Sequence, residues 1–320
     1  MQPLIVEPRE VKLSTRTEIS VRRLIPHAKL RRVGAWVFLD HFGPTPQVDG
    51  MQVARHPHTG LQTVTWLFEG EVDHRDSIGS RQVIRPGQLN LMTAGRAVAH
   101  SEKSAGEKSV GSVESDAPQS LHAVQLWLAL PDAVRQQEPS FEHLESVPTI
   151  QLDATTAQVF IGALAGIESP ARVFSPLVGA ELVVRGRTWL PLRSGWQHAL
   201  LVVEGSLSVA GEAVANRDLA YLEPEFGTRG VWLDVPEGTD EARVILIGGE
   251  PFTEEIVMWW NFIARTSDEI VAMREQWNAQ AEPESPTGKD ALGAYPPYSD
   301  ELGGWIPAPE LPNVTLRPRG

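Results

Sequence analysis

The apolar positions of this chain fall into short runs broken by Gly, Pro and charged residues, a rhythm of strands and turns rather than long helices. Leu61-Gln62-Thr63-Val64-Thr65-Trp66-Leu67-Phe68 is rich in β-branched and aromatic residues, which suit a pleated, buried surface. Glu69-Gly70 interrupts it, Glu71 to Arg75 predicts a second strand, and Asp76 to Ser80 predicts a hairpin turn. Arg81 to Ile84 returns, Pro86-Gly87 turns again, and Gln88 to Met92 is the next strand. Many short strands at regular spacing predict an all-β sandwich or barrel. Residues 101–120 hold only two valines as sizeable apolar residues and read as loop or local disorder. Leu121 to Leu130 is apolar again, and 131–148 reads as a polar connector.

A second β-rich region echoes the first. His198 to Leu207 lines up with Thr63 to Val72: an apolar strand, Glu-Gly, then another strand. Asp218 to Leu222 lines up with Gln88 to Met92. The offset falls from 135 (Thr63 to His198) to 130 (Gln88 to Asp218), so the second copy has a shorter hairpin. Beyond Gly248-Gly249-Glu250-Pro251 the character changes. Glu254 to Ile263 reads as helix, and Ser267 caps a second helix with Ile270, Met273 and Trp277 at helical spacing. Residues 282–320, rich in Pro and Gly, predict an irregular tail on the surface.

Composition narrows the chemistry. The 320 residues, 42% apolar, suffice for about two domains. A net charge of −13 argues against binding to a phosphate backbone, which needs clustered cations. Cysteine is absent, which excludes disulfides, thiolate metal sites and a cysteine nucleophile. Any metal must be held by His and carboxylate. No apolar run reaches the ~20 residues of a membrane-spanning helix, and MQPLIVEPRE lacks a basic head followed by an apolar stretch. The expectation is a cytoplasmic protein with no membrane contact.

His56-Pro57-His58 places two imidazoles at i and i+2, on one face of a strand. His100-Ser101-Glu102 repeats the geometry with an imidazole and a carboxylate. If both segments line one barrel mouth, three nitrogens and one oxygen converge, a set that suits a divalent first-row metal and leaves room for further ligands. Pro57 lacks a ladder donor, which places its strand at an edge or entry position. Neither pair is specific alone. Chance supplies about one His-x-Glu in such a chain, and His143-Leu144-Glu145, in the polar connector, is read as surface. The weight lies in the frame: His-x-His, strand, Glu-Gly, hairpin, Pro-Gly, strand, His-x-Glu.

That frame resembles the cupin double motif in its pirin variety. The resemblance runs from His56 through Trp66, Leu67-Phe68-Glu69-Gly70 and Asp73-His74-Arg75-Asp76-Ser77 to Met92 through Glu102. Gly248-Gly249-Glu250-Pro251 and the Trp-rich segment after it are also similar to bacterial pirins. It covers about 20–280 and is densest at 34–102. It implies two cupin (double-stranded β-helix, or jelly-roll) barrels in tandem with a helical and irregular C-terminal tail. The expected boundaries are 1–132 for a metal-binding N-terminal cupin, 133–250 for a metal-free C-terminal cupin, and 251–320 for a tail packing on the barrels. The ligand set it implies is His56, His58, His100 and Glu102 around one divalent ion, iron(II) first, with Ni, Cu, Mn or Zn compatible.

The activity it implies is that of a quercetin 2,3-dioxygenase: a flavonol-like ring opened by O2 with loss of carbon monoxide, Glu102 accepting the hydroxyl proton. The alternative is a non-catalytic, redox-sensing metal protein that contacts a transcription regulator or other protein. A cupin isomerase or lyase is a third, weaker reading. Most cupins carry Glu where this chain has Gln62, so Gln62 is expected beside the ligands, bonding a water or substrate. His74 is expected as a pocket donor or as hairpin surface. In the second unit the positions matching His56 and His58 are Pro191 and Arg193, and those matching His100 and Glu102 are Gly230 and Trp232. No ligand set remains there, and His198 is read as packing or surface. His27, His41 and His122 are given no role, and Arg22, Arg23, Arg31 and Arg32 are read as a solvated basic face.

Overall fold

A computed structural model of the chain describes residues 2–12, 20–46, 51–104, 120–226, 229–280 and 305–318. Most of the polar stretch after Glu102 and most of the Pro/Gly-rich tail therefore lie outside the described residues. The described part is almost entirely β, arranged as two cupin barrels in sequence.

Each barrel is a large sheet facing a four-stranded one. In the first, the large sheet runs Ser140–Leu144, Leu89–Thr93, Leu61–Glu69, Ser120–Ala129, Trp36–Pro46, Ser20–Ile25, Arg9–Lys12. The small sheet runs Gln52–His58, Val98–Ser104, Val72–Asp76, Arg81–Ile84. Gln52–His58 is at its edge, where a proline costs no ladder bond. In the second barrel the corresponding small sheet is Thr188–Pro191, Gly230–Asp234, Leu207–Val209, Glu212–Val214.

The two large sheets pack face to face, and the largest apolar core lies between them rather than inside either barrel. Val64, Trp66, Leu126 and Trp36 from the first meet Phe160, Ile245 and Ile247 from the second. Trp66 stacks on Phe160 at 4.9 Å and donates its indole N–H to Glu181 at 2.6 Å. Trp36 donates to the Gly248 carbonyl at 3.2 Å. This second burial explains Leu61–Glu69: both faces are covered, so every residue but Glu69 is buried, the polar Gln62, Thr63 and Thr65 included.

The structure corrects four expectations. The connector 131–148 contains a strand, Ser140–Leu144, which extends the first sheet beside Leu89–Thr93. In exchange, Leu4–Val6 pairs with Leu219–Leu222 of the second barrel, so the chain crosses the expected 132/133 boundary in both directions. Glu254 to Ile263 is not a helix but a hairpin, Val257–Trp259 with Phe262–Ala264, turning at Trp260, whose φ is 50°. β-Branched and aromatic residues favour the extended form there, and Ile263 N–H bonds the Thr59 carbonyl at 3.1 Å. The helix Ser267–Ala279 is capped by Thr266 rather than Ser267, in a capping box with Glu269. Its Ile270 and Trp277 are buried as the spacing predicts.

The C-terminal segments close the open edge of the small sheet. Ile306 N–H bonds the Arg55 carbonyl at 2.9 Å, and Trp305 stacks on Trp277 at 4.0 Å. Gly60, two residues past the end of the His-Pro-His strand, sits at φ +68°, and a Cβ there would lie 2.3 Å from the Ile263 carbonyl oxygen. Gly60→Ala is expected to destabilise the chain by roughly 2–4 kcal/mol, combining left-handed strain with a backbone clash; urea unfolding checks it.

Candidate metal centre

The strand Gln52–His58 and the strand Val98–Ser104 are antiparallel neighbours with His56 opposite His100. Period two brings His58 to the same face as His56, and Glu102 to the same face as His100. A bulge lies between His100 and Glu102, against Val53 to His56 on the neighbouring strand. It leaves the Ala54 carbonyl 2.9 Å from His56 Nδ1. A carbonyl only accepts, so the His56 proton sits on Nδ1 and the Nε2 lone pair is free.

The structure places all four residues on one cavity wall, but in two overlapping groups that share His100 rather than in one set of four. Metal-ligating atoms of His56, His58 and His100 lie within 4.8 Å of one another, and so do those of His74, His100 and Glu102. His58 Nε2 is 3.1 Å from His100 Nε2. All four expected ligands are buried. Burial pushes His56 down to about 4 and His58 and His100 well below the ordinary imidazole value, with the neighbouring imidazoles adding to the fall. The rings are therefore neutral donors at pH 7. Burial pushes the Glu102 carboxyl up, opposed by His74 and by a hydrogen bond from Thr65. Two ring nitrogens, His58 Nε2 and His100 Nε2, packed at 3.1 Å in a buried site, beside the free Nε2 of His56, make a donor set that a divalent ion would satisfy.

The cluster forms the wall of a cavity of about 660 Å³, within the usual range for a small-molecule site. Trp127 meets the His58 ring edge-on at 5.0 Å and stacks on Phe38 at 3.9 Å and 11°. Arg23 lies over the Phe38 ring at 4.5 Å and makes a two-point pair with Asp40 at 2.8 and 2.7 Å. Ile306 and Pro309 of the C-terminal segment line the same cavity.

Other expectations change. Gln62 is buried, but its amide donates to Thr93 Oγ1 at 3.0 Å and to the Arg172 carbonyl at 3.2 Å. It ties the first barrel to the second and does not line the cavity. The basic face is divided: Arg23 lines the cavity, Arg22 bonds His41 and the Gly43 carbonyl, and Arg32 bonds the Glu254 carbonyl. His143 is half-buried and bonded to Asn90 at 2.7 Å rather than on open surface. His41 and His122 meet at 2.8 Å. His122 also groups with Glu69 and Glu204, but Arg243 reaches Glu204 at 3.7 Å and already answers that charge. In the second barrel Pro191 stands opposite Gly230, as His56 stands opposite His100. The interior there is apolar, with Leu190, Trp196, Leu207 and Leu233 in its core.

Phe38, Asp40 and Asp76 went unnoticed in the sequence as site residues. For Asp76 a signal existed: His74-Arg75-Asp76 is one more imidazole–acid pair at strand spacing, flanking His100.

Fold and cluster define a bicupin whose first barrel gathers metal-ligating residue types at one point. Residues 18–128 match the family model described as pirin, and 177–282 match that of the pirin C-terminal cupin domain. The chain belongs to the pirin family. It is 44% identical over 263 residues, 81% of this chain and 79% of the other, to a Pseudomonas aeruginosa protein named "Putative quercetin 2,3-dioxygenase PA1205". A pirin-like protein of Caulobacter vibrioides is 34% identical over 268 residues, 81% of this chain and 88% of that one. The crystal structure of a quercetin 2,3-dioxygenase from Acinetobacter baumannii superposes with a TM-score of 0.84 at 35% identity, covering 99% of this chain and 98% of that one. Among the described residues, no helix is long and apolar enough to cross a membrane.

Proposed function

We propose that this pirin is a dioxygenase that opens a flavonol-like ring, with His56, His58, His100 and Glu102 holding one divalent ion. The observation that carries the proposal is the convergence of three neutral, buried imidazoles on an aromatic-walled cavity of about 660 Å³ that the Glu102 carboxylate, grouped with His100, also lines. The names of the relatives support the same reaction class. When bound, the ion, iron(II) on the family resemblance, supplies Lewis acidity toward a substrate hydroxyl and a route for O2 chemistry.

The chain's own groups do the rest. The stacked Phe38 and Trp127 offer a planar wall to an aromatic ring. Arg23, held in place by Asp40, offers N–H donors to a ring oxygen on the same cavity. Glu102, made more basic by burial, accepts the proton of the substrate hydroxyl.

Oxygen uptake with a flavonol panel, after anaerobic loading with iron(II), nickel(II), manganese(II) or copper(II), tests the reading. Glu102→Gln, whose amide oxygen is a weaker ligand, is assayed at saturating metal with its metal content measured, and is expected to lose at least ~100-fold in uptake per bound ion, the scale of a missing general base. Metal-loaded protein that consumes no oxygen with any flavonol refutes the activity and leaves a metal-binding protein of another kind.

A further inference from the structure

A chain of side-chain hydrogen bonds runs from Asp76 through His74 to His100. The strand Val72–Asp76 pairs antiparallel with Val98–Ser104, with His100 opposite Asp76 and Glu102 opposite His74. Period two puts His74 and Asp76 on one face. Asp76 Oδ2 is 3.3 Å from His74 Nε2, and His74 Nδ1 is 3.4 Å from His100 Nδ1. All three residues are at most 3% exposed. The His74 ring is clamped by stacking on Phe141 at 4.6 Å. The other Asp76 oxygen, Oδ1, accepts from the Ile78 and Ser80 N–H groups at 3.1 and 2.8 Å, so the hairpin fixes the carboxylate.

The direction of every bond follows from one end. A carboxylate only accepts, so His74 carries its proton on Nε2. Its Nδ1 then accepts, so His100 carries its proton on Nδ1. That leaves His100 Nε2 bare on the side that faces His58.

We infer that Asp76 and His74 are positioning residues that set the tautomer of His100 and so present its Nε2 as a metal donor. The inference rests on the ligand set proposed above. It goes further by making the hairpin Val72–Ile84 part of the metal site.

Asp76→Asn separates this role from the turn. The amide oxygen still takes the Ile78 and Ser80 N–H groups, while an NH2 replaces Oδ2. His74 must then accept at Nε2 and donate from Nδ1, and His100 must accept at Nδ1 and carry its proton on Nε2, the donor atom. Nickel(II) affinity of the full chain, measured by competition with a chromophoric chelator, is expected to fall ~10–100-fold, the usual cost of losing a group that orients a ligand. In a His74→Phe background, which keeps an aromatic ring against Phe141, Asp76→Asn is expected to change affinity less than ~3-fold, because no chain remains to reverse. Equal losses in both backgrounds would show that Asp76 acts through the turn, and that overturns the inference. So does an unchanged affinity in the single variant. If Asp76→Asn does not fold, imidazole 15N shifts of the unsubstituted, metal-free chain decide. A His100 proton on Nδ1 supports the inference, and a proton on Nε2 overturns it. An unsubstituted chain that takes up no nickel(II), cobalt(II) or iron(II) fails the ligand set itself, a result distinct from selective insensitivity to Asp76→Asn.

Discussion

His58→Ala is expected to abolish tight divalent-metal binding while leaving the metal-free fold nearly as stable as before. His58 stands at the centre of the cluster, 3.1 Å from His100 Nε2 and at ring–ring distances of 5.1 Å from His56 and 5.0 Å from Trp127. Losing a group that merely orients a ligand costs ~10–100-fold in affinity, so losing the ligand itself should cost more than ~100-fold. The fold is expected to tolerate it, because two effects oppose each other. Removing a buried ring leaves a cavity, at a cost of a few kcal/mol. The same change removes a buried Nε2 lone pair that faces the bare His100 Nε2 at 3.1 Å, and an unsatisfied buried acceptor costs about 1–3 kcal/mol. Thermal or urea unfolding with and without nickel(II) reads both quantities. At a free concentration of about 1,000 times Kd, the unsubstituted chain gains about 4 kcal/mol, and His58→Ala, at a loss of ~100-fold or more, gains at most about 1.4 kcal/mol. His143→Ala, which removes a histidine bonded to Asn90 outside the cluster, keeps the full gain. The full metal-dependent gain retained by His58→Ala would exclude His58 as a ligand.

The cluster was legible in sequence because its information is local. An i, i+2 pair on a strand shares a face whatever the rest of the fold does, and two such pairs on neighbouring strands need only one register, His56 opposite His100. The second barrel was legible for the same reason, since the offset that matched the strands also put Pro191 opposite Gly230. What escaped depends on distant partners. Glu254 to Ile263 is a short apolar run whose periodicity does not separate helix from strand; its bond to Thr59, some 200 positions away, belongs to the extended form. Gln62 looked like a neighbour of the ligands because it lies four residues from His58, yet its bond to the Arg172 carbonyl comes from the other barrel. Arg23 looked solvated because Asp40, its partner across the Ser20–Ile25/Trp36–Pro46 ladder, is visible only once the strands are paired.

The two barrels divide the work. In the second, apolar side chains fill the interior, and its large sheet gives the first barrel a dry face to rest on through Trp36 and Trp66. In the first, the interior is given to imidazoles, a carboxylate and a cavity, which contribute little apolar burial of their own. The inter-barrel core therefore carries much of the stability that the site does not supply, and buried polar groups lie along that core too.

Those groups lead to the second large effect: acid is expected to unfold the metal-free chain at about pH 4–5. His41, His122 and His198 are buried away from the cluster. Burial pushes His41 down to about 2, with Arg22 and His122 adding to the fall, and pushes His122 and His198 down to about 4. Their folded values lie below the ordinary 6.5, so the unfolded chain takes up protons first. Stability is complete above pH 6.5 and falls as the pH drops toward each folded value, by about 1.4 kcal/mol per pH unit and group. By pH 4 each group has withdrawn at most about 3 kcal/mol, together roughly 10, against the ~5–15 kcal/mol that holds a typical domain folded. The buried carboxyls of Asp40 and Glu181, raised by burial, have the opposite sign and soften the fall only toward the acid end. Urea midpoints measured from pH 7 to 4.5 should be level above pH 6.5 and then drop steeply. His198→Gln should lower the slope by roughly a sixth, because His56, His58 and His100 of the metal-free cluster take up protons on unfolding as well, and one of six uptakes is gone. A midpoint that stays level from pH 7 to 4.5 would show that these histidines are already protonated, or solvated, in the folded chain.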